Sequence, residues 1–76
     1  MGREKGRTLW FNNAEGHGII LSARGDELPV FFPHISMDGF KTLREGQLVE
    51  FERFEQPGPD GVRDVAFFVV PLNDIT

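Results

Sequence analysis

The chain has no cysteine among its 76 residues, so disulfides and thiolate metal sites are excluded and a reducing compartment, the cytoplasm, is the expected setting. Two histidines without cysteine do not make a usual structural zinc site. No apolar run approaches the ~20 residues needed to cross a bilayer. The charged start Met1-Gly2-Arg3-Glu4-Lys5 has no apolar stretch behind it, so no secretory leader is expected. Positive charge is also scarce: the formal net charge is −4 and the pI about 5.0. That balance disfavours a partner held by phosphate contact alone. It leaves open recognition by base stacking, which needs aromatic faces rather than charge.

What the chain does have is eight phenylalanines, one tryptophan and nine glycines, a composition of short, glycine-punctuated strands. Its length is enough for one domain with a modest core, spanning residues 1–76 with the folded part from about Gly6 to Val70. Thr8-Leu9-Trp10-Phe11 is a dense β-favouring run closed by Asn12-Asn13, which predicts a first strand from about Lys5 to Asn12. Gly16 to Leu21 follows closely, as in a hairpin. Leu28-Pro29-Val30-Phe31-Phe32 reads as a third strand, kept short or at an edge by Pro29 and Pro33. Asp38-Gly39 is a turn signal, and Thr42 to Gly46 predicts one helical turn stopped by glycine. From Gln47 to Glu55 the pattern alternates, Val49 and Phe51 against Glu50 and Glu52, which is a half-buried strand. Pro57 to Gly61 reads as a loop, and Val62 to Val70 as a last, unusually apolar strand. Five short strands without a long helix predict an all-β fold, a five-stranded antiparallel closed β-barrel, because a flat sheet of this size would leave long unpaired edges.

Five pieces of sequence, in order, resemble the cold-shock domain: Trp10-Phe11-Asn12, Gly16-x-Gly18, Phe32-x-His34-x-Ser36, Gly39-Phe40-Lys41-Thr42-Leu43 and Glu45-Gly46-Gln47. The resemblance covers almost the whole chain, from about Gly6 to Val70. It implies the oligonucleotide-binding fold, with outward aromatic rings that stack on the bases of single-stranded RNA or DNA. Carried over position by position, it names Trp10, Phe11, Phe32, His34 and Phe40 as ring positions. His17 and Ile19 stand where the family has phenylalanine, and Arg7 and Lys41 are cations near the implied platform. The implied role is binding of single strands with low sequence preference, as a nucleic-acid chaperone or regulator.

The departures from the pattern are equally specific. Glu15 replaces a lysine, Leu9 replaces the lysine before the tryptophan, Ile35 replaces a third-strand phenylalanine and Pro33 a valine. Lost rings and lost phosphate-binding charges both weaken binding to a single strand. A second reading is therefore a cold-shock-like barrel that has largely left nucleic acid and serves as a protein-interaction or self-associating module; saccharide binding on the same fold is a third. Arg24, Arg44, Arg53 and Arg63 are further cations, with Arg53 in the inward register of Val49 and Phe51. No constellation of nucleophile and base appears, and the carboxylates fall in turns and on a solvated strand face, so neither catalysis nor a cofactor is expected. Because Val65 to Val70 is apolar on both faces, Phe67 or Phe68 should be exposed or covered by another chain, possible in a weak homodimer. His17 and His34, both at the implied binding face, predict affinity for a polyanion that rises as the pH falls.

Overall fold

A computed structural model describes residues 2–36 and 42–72 of the chain. Its strands are β1 (Glu4–Asn12), β2 (His17–Ser22), β3 (Glu27–Phe31), β4 (Leu48–Gly58) and β5 (Gly61–Pro71), with a 3₁₀ turn at Phe32–His34. They form a closed barrel in the order β1-β2-β3-β5-β4. The expectation of a purely antiparallel barrel is corrected at one seam. β1 pairs antiparallel with β2 and β4, as do β2 with β3 and β4 with β5, but β3 meets β5 in parallel at Val30↔Ala66. The reason is parity: a ring with an odd number of strands cannot alternate direction at every neighbour. Beyond β3 the seam continues as a parallel bridge, Ile35 to Val69, and the Ser36 N–H donates to the Val69 carbonyl at 2.7 Å.

The strands arise where the two-residue alternation puts apolar side chains inward. Ile20, Leu28, Val30, Val49, Phe51, Ala66 and Val69 fill the interior, joined by Ile35 and Leu43, and Phe11 packs against them from a half-buried position. Three local expectations shift. β3 ends at Phe31, because Phe32-Pro33-His34 turns into the 3₁₀ segment, where a proline near the start forfeits no ladder donor. The helical turn expected at Thr42–Gly46 is instead a tight turn, with the Gln47 N–H donating to the Arg44 carbonyl and Gly46 at φ 83°. The expected loop at Pro57–Gly61 shrinks to Pro59-Asp60, since β4 and β5 stay paired out to Gly58↔Gly61. The Asp38-Gly39 turn signal lies outside the described residues.

Two bulges break the alternation. In β1 the register slips between Thr8 and Trp10, so Leu9 is an extra residue opposite β2. Thr8 is thereby buried while Trp10 comes out to solvent. In the β4–β5 ladder Glu50 pairs with Val70 but Glu52 with Phe67, leaving two residues of β5 opposite one of β4. Phe68 occupies this second bulge at φ 51°, a left-handed conformation that strains a bulky side chain. The Arg3 guanidinium donates to its carbonyl at 2.9 Å. Close approach of β1 and β2 depends on Gly18: a Cβ there would lie 2.2 Å from the Trp10 carbonyl oxygen.

The inward register of β4 ends on Arg53, whose guanidinium closes one end of the barrel. It donates to Glu4 at 2.8 and 2.9 Å, to Asp26 at 2.7 Å and to Asp64 at 2.8 Å. Three strands and the β2–β3 turn are thus tied to one cation. The Arg53 hydrogen bonds hold the Glu4 carboxyl below its ordinary range; the same guanidinium, helped by the Ser22 hydroxyl, does so for Asp26. Arg53 in turn is held more firmly protonated by Glu4 and Asp26.

Two predictions come from this architecture. Gly18→Ala forces two strands apart, and its urea-unfolding midpoint should fall by the equivalent of about 2 kcal/mol or more, the range of overpacking strain. For the Arg53 cluster the sign follows from the lowered pKa values of Glu4 and Asp26. Their stabilisation is complete above the unfolded values, ~3.9 for Asp and ~4.3 for Glu, and is lost as the pH falls through the lower folded ones. The wild-type melting temperature should therefore drop steeply below about pH 4. In Arg53→Met three carboxylates are left with only the exposed Arg24, 3.9 Å from Glu4, to offset them, so stability should be lower at pH 7 and should rise, not fall, between about pH 6 and 4.5. Parallel pH curves for the two proteins would refute this account.

Candidate nucleic-acid interface

The rings do not scatter over the barrel; they form a row. Trp10 of β1 meets His17 of β2 edge-on, with centroids 5.5 Å apart. His17 is followed by Phe31 of β3 at 6.4 Å and Phe31 by His34 of the 3₁₀ turn at 6.0 Å. Each step crosses to the neighbouring strand or turn, so the row runs across the strands. Barrel registration explains it: Trp10 pairs with Ile19 and His17 with Phe31, which places outward side chains of three strands side by side. Trp10 is 44% exposed and Phe31 36%. The row continues past His34, which stacks on Phe67 of β5 at 3.8 Å with planes 23° apart.

Of the positions expected from sequence, Trp10, His17 and His34 are brought together in this row. Ile19 is half-buried beside them in β2, and Phe11 faces the core rather than solvent. Phe32 is exposed and sits by the β1–β2 turn, its N–H donating to the Gly16 carbonyl at 2.8 Å. Arg7 is exposed but its guanidinium donates to the Gly46 carbonyl at 3.0 Å, which ties it to the Arg44–Gln47 turn. Phe40 and Lys41 lie outside the described residues. Sequence reasoning missed Phe31 as a member of the row. The signal was available, because Leu28 and Val30 set the inward register and put Phe31 outward. Arg63, one of the further cations, shares a shallow hollow with Phe31, lined further by Pro57, Pro59 and Val65.

The electrostatics of the row are weakly acidic at one end. The β1–β2 turn is built by Asn12, whose side-chain oxygen accepts the Glu15 N–H at 2.9 Å. This sets the Glu15 carboxylate 3.5 Å from His17 Nε2. His34 differs from His17: its Nδ1 is buried with no hydrogen-bond partner among the described residues, and burial lowers its pKa below the ordinary value. It is therefore a neutral ring at pH 7, suited to stacking and carrying no charge toward a phosphate. His34 thus contributes little to any rise in polyanion affinity on mild acidification. No group of histidine, aspartate and glutamate side chains among the described residues is arranged to hold a metal ion, and no helix there is long and apolar enough to cross a membrane.

A proton NMR titration checks the His34 assignment. Its ring should titrate below ~6.5, the unperturbed value. Removing its stacking partner with Phe67→Ala exposes the imidazole and should move the titration upward toward that value. A His34 midpoint at or above 6.5 in the wild type would contradict the burial described above.

Residues 4–67 match the family model described as the 'Cold-shock' DNA-binding domain. The cold shock-like protein CspD of Escherichia coli is 40% identical over 70 residues, covering 91% of this chain and 89% of that protein. The cold shock-like protein CspLB of Listeria monocytogenes is 49% identical over 57 residues, 74% of this chain and 86% of the other. A cold shock-like protein of Thermotoga maritima is 46% identical over 48 residues, 63% of this chain and 73% of the other. The matched family is one of nucleic-acid-binding domains, not of enzymes. With its closed five-stranded barrel and a family match over most of its length, this chain belongs to the cold-shock DNA-binding domain family.

Proposed function

We propose that this protein binds single-stranded RNA or DNA with little sequence preference, by stacking unpaired bases on the row Trp10–His17–Phe31–His34. The observation that carries the reading is the continuity of that row across β1, β2, β3 and the 3₁₀ turn, with Trp10 and Phe31 exposed in it. Every base has a π-face, so a row of rings holds a strand without reading its sequence. Among the described residues few cations are placed to serve phosphates, and Arg63, beside Phe31, is the best placed of them. Glu15, next to His17, opposes them. Affinity is accordingly modest and rests more on stacking than on charge. The activity is that of a passive chaperone: bases captured on rings are withheld from pairing, and the strand is released when a more stable duplex competes.

The test is a fluorescence titration with the hexamers of dT and rU at several salt concentrations. Trp10 emission should be quenched on binding. Trp10→Ala should lower affinity by roughly 5- to 100-fold, the value of one stacked base, while the fold survives. Glu15→Lys should raise affinity and steepen the logarithmic salt dependence by about 0.7, the increment for one further neutralised phosphate on a single strand. Trp10 emission that stays constant while an independent signal shows saturation would remove Trp10 from the site.

A further inference from the structure

We infer that the stacking surface does not end at His34 but continues over the β4–β5 face, where Phe54 and Phe68 form a second, charge-independent subsite for additional bases of the same strand. The inference rests on the proposed function above and extends its site. Three observations carry it. First, the ring row is unbroken. His34 stacks on Phe67, Phe67 meets Phe54 edge-on at 5.3 Å, and Phe54 meets Phe68 at 6.2 Å. Second, the terminal rings are open: Phe54 is 44% and Phe68 51% exposed, comparable to Trp10 at the other end. Third, Phe68 is outward because of the β5 bulge, in a left-handed conformation unfavourable to a bulky residue. Regular alternation would turn one of two successive phenylalanines inward; the bulge presents both on the outer side. The Arg3 guanidinium braces this geometry through the Phe68 carbonyl, and Glu50 and Glu52 hold that guanidinium at 3.5 and 3.4 Å.

The chemistry of the subsite follows from these neighbours. His34 and Phe67 lie face to face, so no base enters between them, and further bases rest on Phe54 and Phe68. The cation nearest Phe68, Arg3, is already engaged by two carboxylates and a carbonyl. Bases added here contribute affinity without releasing counterions. Two classes of nucleotide site result on one barrel: a salt-sensitive one along Trp10 to Phe31 and Arg63, and a salt-insensitive one on β4–β5.

The experiment compares dT5 with dT10 on wild type, Phe54→Ala and Phe68→Asn. Asparagine removes the ring yet tolerates the left-handed conformation, so the second variant keeps the bulge. Thermal melting confirms that both variants fold. The expected result is an unchanged dT5 affinity in both variants, and a dT10 affinity at least about fivefold weaker than wild type, with the same salt slope. If dT10 binds the variants as tightly as wild type, the subsite does not exist, and the exposed rings belong to a contact with another macromolecule. If dT5 binding is lost together with dT10 binding in well-folded variants, Phe54 and Phe68 are part of the primary site and the two-site division is wrong. If wild type binds neither oligomer, the proposed function itself fails, and the extension with it.

Discussion

The interior of a five-stranded barrel is small, and that limit governs the rest of this molecule. Among the described residues Phe51 is the largest fully buried side chain, and the other inward positions are taken by aliphatic residues such as Ile20, Leu28, Ile35 and the valines, with Ala66 and Thr8. Protein interiors are packed nearly as densely as organic crystals, so further rings are not accommodated there. The chain nevertheless carries eight phenylalanines and a tryptophan. The surplus has to lie outside, at a cost of about 25 cal/mol for each Å² of apolar surface left in water. A contiguous apolar surface of this size is a mark of binding sites, and its arrangement in one row bears on the shape of ligand the proposed function requires. An extended strand of flat, repeated groups fits a line of rings better than a compact ligand does.

Bulges are the devices that turn this surplus into a row. Without the register slip at Leu9, Trp10 would share the face of Thr8 and point into the barrel. Without the second slip, Phe67 and Phe68 would take opposite faces. Both distortions raise local backbone energy, and both are offset by the cooperative pairing around them and, at Phe68, by the Arg3 hydrogen bond. The β1–β2 approach at Gly18 is part of the same geometry, since it lies where β1 resumes pairing after its bulge.

Charge is distributed by a different logic. Arg53 gathers Glu4, Asp26 and Asp64 at one end of the barrel, so part of the acidic excess is structural and removed from any ligand's path. Glu50 and Glu52 are likewise occupied with Arg3. Glu15 is the carboxylate that stands beside the ring row, paired with His17. The net charge of −4 therefore overstates the repulsion that a nucleic acid meets along the rings. His34 adds nothing to the charge at pH 7, because its half-buried ring, with Nδ1 enclosed, resists protonation.

The sequence by itself determined the five strands, the closed all-β fold and the identity of Trp10, His17 and His34 as a group. Period-two alternation, turn residues and motif order are local properties, and closure into a barrel removes the edges that five short strands without helices would otherwise expose. Only the tertiary structure decided which face each ring takes. A bulge reflects how two distant strands fit their registers together, so nothing in Leu9-Trp10 or Phe67-Phe68 alone marks it. That both Phe31 and Phe32 are exposed has the same origin: where β3 gives way to the 3₁₀ turn depends on closure against β5. Closure also decided the parallel seam, the convergence of three carboxylates on Arg53 and the burial of His34, because each joins residues far apart in sequence whose distance no local pattern encodes.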